Sequence, residues 1–215
     1  MEPPRPKLAQ PTTPKGRKTQ QRIIKAGRKV FGADGFVSMR MSDVAAEAEL
    51  SMGALYRYFD NKDDLFLAVV HDIHQDLYAA SQAGPGVSFR EDPRSALHRA
   101  NSGYLRHYSD NRAIMRAFME ATMVDTRYRD MWWYMRERHI NRFVGAIEGV
   151  FGIRDINGCP TRPIVEALAS MTEQSAFTWF AQEDLNAAPI SLELASEVIT
   201  NIWYSTIFGL KSDAV

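Results

Sequence analysis

A single cysteine, Cys159, stands among 215 residues. One thiol closes no intrachain disulfide and builds no thiolate metal cluster, so the fold must stand on its core, and a reducing cytoplasm is the expected setting. Long apolar runs are also missing. No stretch approaches the roughly 18 consecutive apolar residues of a membrane span, and the first residues lack the apolar centre of a signal peptide. The chain reads as soluble and cytoplasmic, with no membrane partner. Nor does it contain a glycine-rich phosphate loop after a strand, an HExxH pair or a nucleophile elbow, the patterns behind phosphoryl transfer, zinc hydrolysis and acyl transfer. Neither enzyme chemistry nor a cofactor is expected.

What is present is apolar mass and a lopsided charge. With 45% hydrophobic and 24% charged residues, the chain can bury a substantial core as one or two domains. The formal net charge is zero, with 26 basic and 26 acidic residues. The first 40 residues nevertheless hold ten Lys or Arg against two acids, so that end carries +8 and the remainder −8. Such asymmetry points to a polyanionic partner at the basic end. Within it, Met1 to Pro14 includes Pro3, Pro4, Pro6, Pro11 and Pro14 with few large apolar side chains, so residues 1–18 are expected to form a disordered basic arm.

Helical periodicity fills the rest. After Thr19, read as a cap, Ile23, Ile24, Val30 and Phe31 recur at helical spacing, and Gly35 stands where a left-handed terminating residue belongs. A short second helix carries Val44, Ala45 and Ala48. Only Glu49, Leu50 and Ser51 separate it from a third, capped by the Ser51 hydroxyl, with Leu55 and Phe59 inward. Asn61 caps a fourth, with Asp64 three residues on as in a capping box and an apolar side of Leu65, Phe66, Val69, Val70, Ile73 and Leu77. Gly84, Pro85 and Gly86 break the chain. Pro93 then starts a helix with the stripe Leu97, Asn101, Tyr104 and Tyr108, ended by Asp110 and Asn111. Ile114, Met115, Phe118 and Met119 mark another, and Tyr128, Trp132, Met135, His139, Phe143 and Ile147 a long one. Gly152 to Pro160 reads as a loop, followed by helices from Thr161 to about 183 and from Ser191 to about 208. The expected class is all-α, with about nine helices and no run of strands.

Helices two and three, joined by a three-residue turn, form a helix-turn-helix unit, in which the second helix enters the major groove of DNA and its first turn meets base edges. In "SMGALYRYFDNKDDLF", Ser51 to Phe66, Gly53 and Ala54 then let the backbone approach the duplex while Ser51 and Met52 touch bases. Tyr56 and Tyr58 carry hydroxyls long enough to reach phosphate, and Arg57 lies between them. Lys62 sets a positive charge in the first turn of helix four, a phosphate site. Lys15, Arg17 and Lys18 precede helix one and are placed to follow the DNA backbone or enter a minor groove.

The stretch "VFGADGFVSMRMSDVAAEAELSMGALYRYFDNKDDLF", Val30 to Phe66, resembles the N-terminal DNA-binding domain of the TetR family of bacterial repressors. The likeness is carried by Phe31, Gly35, Phe36, Asp43, Val44, Ala45, Ser51, Gly53, Leu55, Tyr56, Phe59 and Lys62. It implies that Ser42, Ser51, Met52, Gly53, Tyr56, Tyr58 and Lys62 lie at the DNA surface. Two positions depart from the family pattern. Glu49 stands where a turn glycine is usual, at a left-handed cost of roughly 1 kcal/mol. Arg40 stands where Ser or Thr usually caps helix two, so that the cap shifts to Ser42 or Arg40 meets phosphate itself.

Beyond this head the outstanding feature is bulk: Trp132, Trp133, Trp179 and Trp203 with many phenylalanines, tyrosines and methionines. Most must be core. Asn101 and Thr172, polar residues on apolar helix faces, suggest a pocket, since ligand sites are mostly apolar with few placed polar groups. The segments "ALASMTEQSAFTWFAQED" and "ITNIWYSTIFG" resemble the C-terminal helices of one TetR branch, typified by a mycobacterial repressor of ethionamide activation. That resemblance implies a long apolar tunnel. The candidate lining is Leu97, Asn101, Tyr104, Tyr108, Met115, Phe118, Met119, Trp132, Thr172 and Trp203. It also implies pairing of two copies through the last two helices, for which Ala167, Ala169, Ala176, Ala195 and Ile199 suit close contact. The expected organisation is an arm at 1–18, a helix-turn-helix domain at 19–64 and an effector-binding and dimerisation domain at 65–215. Expected partners are a double-stranded operator, a small hydrophobic effector and a second copy. Two other readings stand beside this one: an activator or global DNA-binding protein without a small-molecule switch, and a helical enzyme using His71 and His74 with Asp72 and Asp76 around a metal.

Overall fold

The computed structural model describes residues 11–82, 86, 88–182 and 188–209. Pro3, Pro4, Pro6, Gly84, Pro85 and the expected helix end near 183 lie outside them. Helices α1 (Pro14–Ser38), α2 (Met41–Glu47), α3 (Met52–Leu55), α4 (Lys62–Ala80) and α5 (Pro93–Asp110) come first. They are followed by α6 (Arg112–Thr122), α7 (Thr126–Phe151), α8 (Thr161–Ala176) and α9 (Leu192–Phe208).

The chain divides into two compact units. One holds the residues up to Gln75 with Asn111–Tyr134, the other Asp76–Asp110 with Met135 onward, so α4 and α7 supply residues to both. This division differs from the boundary expected at residue 65. Helix α6 packs on α1, which places Met115 and Phe118 in the N-terminal unit.

In that unit, α1 begins earlier than the sequence suggested. Thr13, not Thr19, is the cap: its hydroxyl accepts the Gly16 N–H at 3.0 Å, and Pro14 occupies the first helical position, where its missing N–H costs nothing. Lys15, Arg17 and Lys18 are therefore helical residues rather than part of an arm. Gly35, at φ 74°, ends the regular run as expected. The Ser51 cap on Ala54 N–H and the Asn61–Asp64 capping box are both present. An aromatic cluster of Phe31, Phe36, Phe66 and Tyr128, with centroids 4.7 to 6.1 Å apart, fills the centre together with buried Ile23, Val44, Leu55 and Leu65.

The second unit is built on α5, α8 and α9. Leu97, Ala100 and Leu105 of α5 meet Val165 and Leu168 of α8 and Ala195, Ile199 and Trp203 of α9, all buried. Gly103 lets α5 pass the end of α4, since a Cβ there would fall on the Ala80 carbonyl oxygen. Two differences from expectation appear. The stretch read as a loop contains a two-residue hairpin, Asp155–Ile156 with Cys159–Pro160, whose turn residues Asn157 and Gly158 have φ of 53° and 82°. Asn-Gly favours this turn because both central residues need positive φ. Helix α8 also gives way to a π-helical turn, Phe177–Ala181.

Candidate DNA-binding face and effector cavity

Helices α2 and α3 pack through Val44, Ala45, Ala48 and Leu55, all buried, which turns the first residues of α3 outward. The turn between them bends at Glu49, whose φ of 52° is the left-handed conformation that its position demands. Ser51, Met52 (38% exposed), Gly53, Tyr56 (46% exposed) and Arg57 lie on one exposed surface, with Ala54 and Tyr58 half-buried at its edge. At Gly53 nothing outside its own helix backbone lies within 4 Å of where a Cβ would sit, and φ is not positive there. The fold itself does not demand glycine at that position.

The structure alters three candidate roles. Arg40 occupies the position before α2 without capping it, and Ser42 does not take over: its hydroxyl lies 3.2 Å from the neighbouring Asp43 carboxylate. Lys62 donates to the Val37 carbonyl at 3.0 Å with its ammonium 4.7 Å from the centre of the Phe36 ring, at the end of α1. Arg17 reaches back to the carbonyls of Pro11 and Thr12. Lys15 and Lys18 are exposed, as are Arg40 and Ser42. Lys15 borders an open groove of about 750 Å³ that Thr12, Thr13 and Arg22 share with Ala54, Arg57 and Tyr58. Arg22 escaped the sequence reading, although it follows Lys15 by seven residues and so shares its helix face.

The second unit has a partly open void of about 40 Å³ between α5, α7, α8 and α9. Of the ten candidate residues, Asn101, Tyr104, Thr172 and Trp203 line it, joined by Ser81, Ala100, His139, Phe143, Ala169 and Glu173. Leu97 is buried in the helix packing and Tyr108 lies behind Tyr104, their rings 6.1 Å apart. Met115, Phe118, Met119 and Trp132 belong to the other unit. There Phe118 sits 5.5 Å from the His74 ring and 6.3 Å from Tyr128, and Trp132 is beside Trp133. Four of the ten candidates thus meet at one small void with a polar share.

Its polar groups are mostly engaged with one another. The Trp203 indole N–H donates to Thr172 Oγ1 at 2.9 Å, Thr172 donates to the Leu168 carbonyl, and the Asn101 amide donates to Thr200 at 3.3 Å. Arg136, from α7, donates to the Glu173 carboxylate at 2.6 Å, to Ser170 at 2.6 Å and to the Glu166 carbonyl at 2.9 Å. Burial pushes the Glu173 carboxyl up to about 7, against the pull of Arg136. Burial, and next the Glu173 charge, hold the Tyr104 and Tyr108 phenols above their ordinary range, so both stay neutral. Glu173 is the residue whose role the sequence hid. It follows Thr172 on a helix whose next turn is equally polar, and only packing shows which side is inside.

Among the described residues no helix is long and apolar enough to cross a membrane, and no group of three His, Cys, Asp or Glu side chains is arranged to hold a metal ion.

An N-terminal helix-turn-helix unit with an exposed, glycine-bearing second helix, followed by a helical unit, defines the class: a DNA-binding transcriptional regulator. The sequence model for the bacterial regulatory proteins of the tetR family matches residues 23–69, and that for the C-terminal domain of the transcriptional regulator EthR matches residues 97–209. The chain belongs to the TetR family of transcriptional regulators, with an EthR-type C-terminal domain. The HTH-type transcriptional regulator EthR of Mycolicibacterium smegmatis is 23% identical over 94% of this chain and 95% of its own length. The HTH-type transcriptional repressor NicS of Pseudomonas putida is 33% identical over 26% of this chain and 27% of its own length. A TetR-family regulator from Rhodococcus sp. superposes with a TM-score of 0.70 at 19% identity, covering 88% of this chain and 98% of that one. The likeness to that structure concerns the fold alone.

Proposed function

We propose that the chain is a homodimeric, cytoplasmic repressor that binds a palindromic operator through α3 and is released by a small, largely apolar effector. The observation that carries the DNA role is Gly53: a glycine with ordinary backbone and open space around it, on an exposed surface flanked by Ser51, Met52, Tyr56 and Arg57. A rigid body approaching from outside accounts for what the fold alone does not. The groove bordered by Lys15, Arg22 and Arg57 extends the basic surface toward phosphates.

Pairing rests on α8 and α9. Ala176, Ala195 and Ile199 are buried within their own unit and are not available for it, whereas Ala167 of α8 and Leu194 and Ile202 of α9 are exposed. An effector that binds two conformations of the cavity-bearing unit unequally shifts the population between them, which is all that release requires. The small size of the void favours a second reading, a DNA-binding regulator with no small-molecule switch. Operator titration in the presence of compounds that raise the melting temperature separates the two, because in the second reading no stabilising compound changes DNA affinity.

A further inference from the structure

We propose that the cavity between α5, α7, α8 and α9 is a site for an organic ammonium group, held by the Glu173 carboxylate and the rings of Tyr104, Phe143 and Trp203. This rests on the reading of the cavity as an effector site and names the chemistry of the effector's polar end. The ten lining residues include one carboxylate and no lysine or arginine. Phe143 and Trp203 lie 4.7 Å apart, centroid to centroid, and Tyr104 completes an aromatic wall that also contains His139, whose ring is 6.2 Å from that of Tyr104. Aromatic rings and a carboxylate around a compact void suit a cation, which a carboxylate and a ring face both attract.

Two of the neighbouring positive charges are committed elsewhere. Arg142 donates to the carbonyls of Tyr78 and Ser81 and to the Ser81 hydroxyl, closing the end of α4, and Arg138 lies over the Tyr78 ring at 4.1 Å. Arg136 is the present partner of Glu173. An ammonium shares the carboxylate with Arg136, whose guanidinium keeps its bonds to Ser170 and the Glu166 carbonyl, so neither cation is stranded. The Glu173 charge acts to raise the Tyr104 phenol more than that of Arg136 acts to lower it. A carboxylate ligand would meet Glu173 head-on. At about 40 Å³ the void accepts a compact head group as it stands, and a tail requires the Phe143 and Trp203 rings to part.

Three probes with one body and different heads test this on the full-length protein at pH 8: 2-phenylethylamine, 2-phenylethanol and phenylacetate, followed by thermal shift and calorimetric titration. The amine is expected to bind at least tenfold more tightly than the alcohol, and phenylacetate not at all. In Glu173→Gln the amine falls to the level of the alcohol. Arg136→Met/Glu173→Gln, which removes the buried guanidinium and its half-buried carboxylate partner together, gives the same loss of preference in a chain without a stranded guanidinium. Equal or tighter binding of the alcohol or the acid, or no binding of any probe, overturns the ammonium site. The effector reading is tested separately by DNA titration: an amine that binds through Glu173 yet leaves operator affinity unchanged establishes the site and refutes its role as a switch.

Discussion

The Trp203 indole N–H and the Thr172 hydroxyl, 2.9 Å apart, tie α9 to α8 at the wall of the cavity. Because Thr172 also donates to Leu168, its hydroxyl proton and one of its lone pairs are engaged by the fold, which accounts for its place on an apolar face. Thr172→Val should strand the buried indole donor and lower stability by about 1–3 kcal/mol, whereas Thr172→Ser should keep most of it. Urea unfolding checks both. Equal stability of the Val variant would mean that the bond contributes nothing.

Much of this architecture was legible in the chain. The Asn61–Asp64 box, the Ser51 and Ser191 caps and Pro93 mark helix starts through local chemistry, and the structure realises each. Thr13 and Pro14 carried an equally good start signal, obscured because they ended a proline-rich stretch. Asn157–Gly158 carried a hairpin turn preference that the reading of Gly152 to Pro160 as a loop passed over. What could not be read is tertiary: the turning of Lys62 onto Val37 and Phe36, the assignment of Phe118 and Trp132 to the N-terminal unit, and the inward side of Glu173. Helical periodicity says that a face is buried, not which neighbour covers it.

Glu49 holds a left-handed conformation that glycine adopts freely. Glu49→Gly should therefore stabilise the chain by about 1 kcal/mol, since the Cβ strain of roughly that size disappears. For a chain of this size that is a rise of about 2–4 °C in Tm, read by calorimetry. A fall in Tm would show that the Glu49 side chain matters more than its backbone.

Glu173 gives the stability a pH signature. Its carboxyl is pushed up to about 7 in the folded chain from an ordinary value of 4.5, so between these values the folded state holds a proton that the unfolded state has released. The contribution is fully present below about 4.5 and is lost as pH rises through about 7. Denaturation midpoints of the wild type should fall across this window relative to those of Glu173→Gln. Parallel curves would place the carboxyl in its ordinary range.

Leu194 and Ile202 are exposed apolar residues on α9. If they form the pairing face, Leu194→Asp/Ile202→Asp should convert a dimer into a monomer with unchanged helical content, because a desolvated charge at the centre of an interface costs several kcal/mol. Light scattering after size exclusion gives the mass, and a dimer that persists moves the interface elsewhere.

Lys15 and Lys18 project from the first turns of α1 and are exposed. Replacing both with alanine should weaken binding to operator and random DNA alike and flatten the salt dependence by a slope of about 0.9 for each phosphate no longer neutralised. An unchanged slope would remove them from the interface. The same substitution at Arg17 should act through the Pro11–Thr12 segment that it holds, with a smaller change in slope.

Selection of bound duplexes from a random-sequence pool bears most directly on the DNA-binding reading, run in parallel with the wild-type chain and with a folded Gly53→Trp variant. A Cβ there meets nothing within 4 Å outside its own helix and chain neighbours, so the fold should survive while entry of α3 into the groove is blocked. The expected result is enrichment of an inverted repeat by the wild type, bound at moderate salt, and none by the variant. Enrichment of the same repeat by Gly53→Trp, or of no repeat by the wild-type protein, would contradict a TetR-type reading head built on α3.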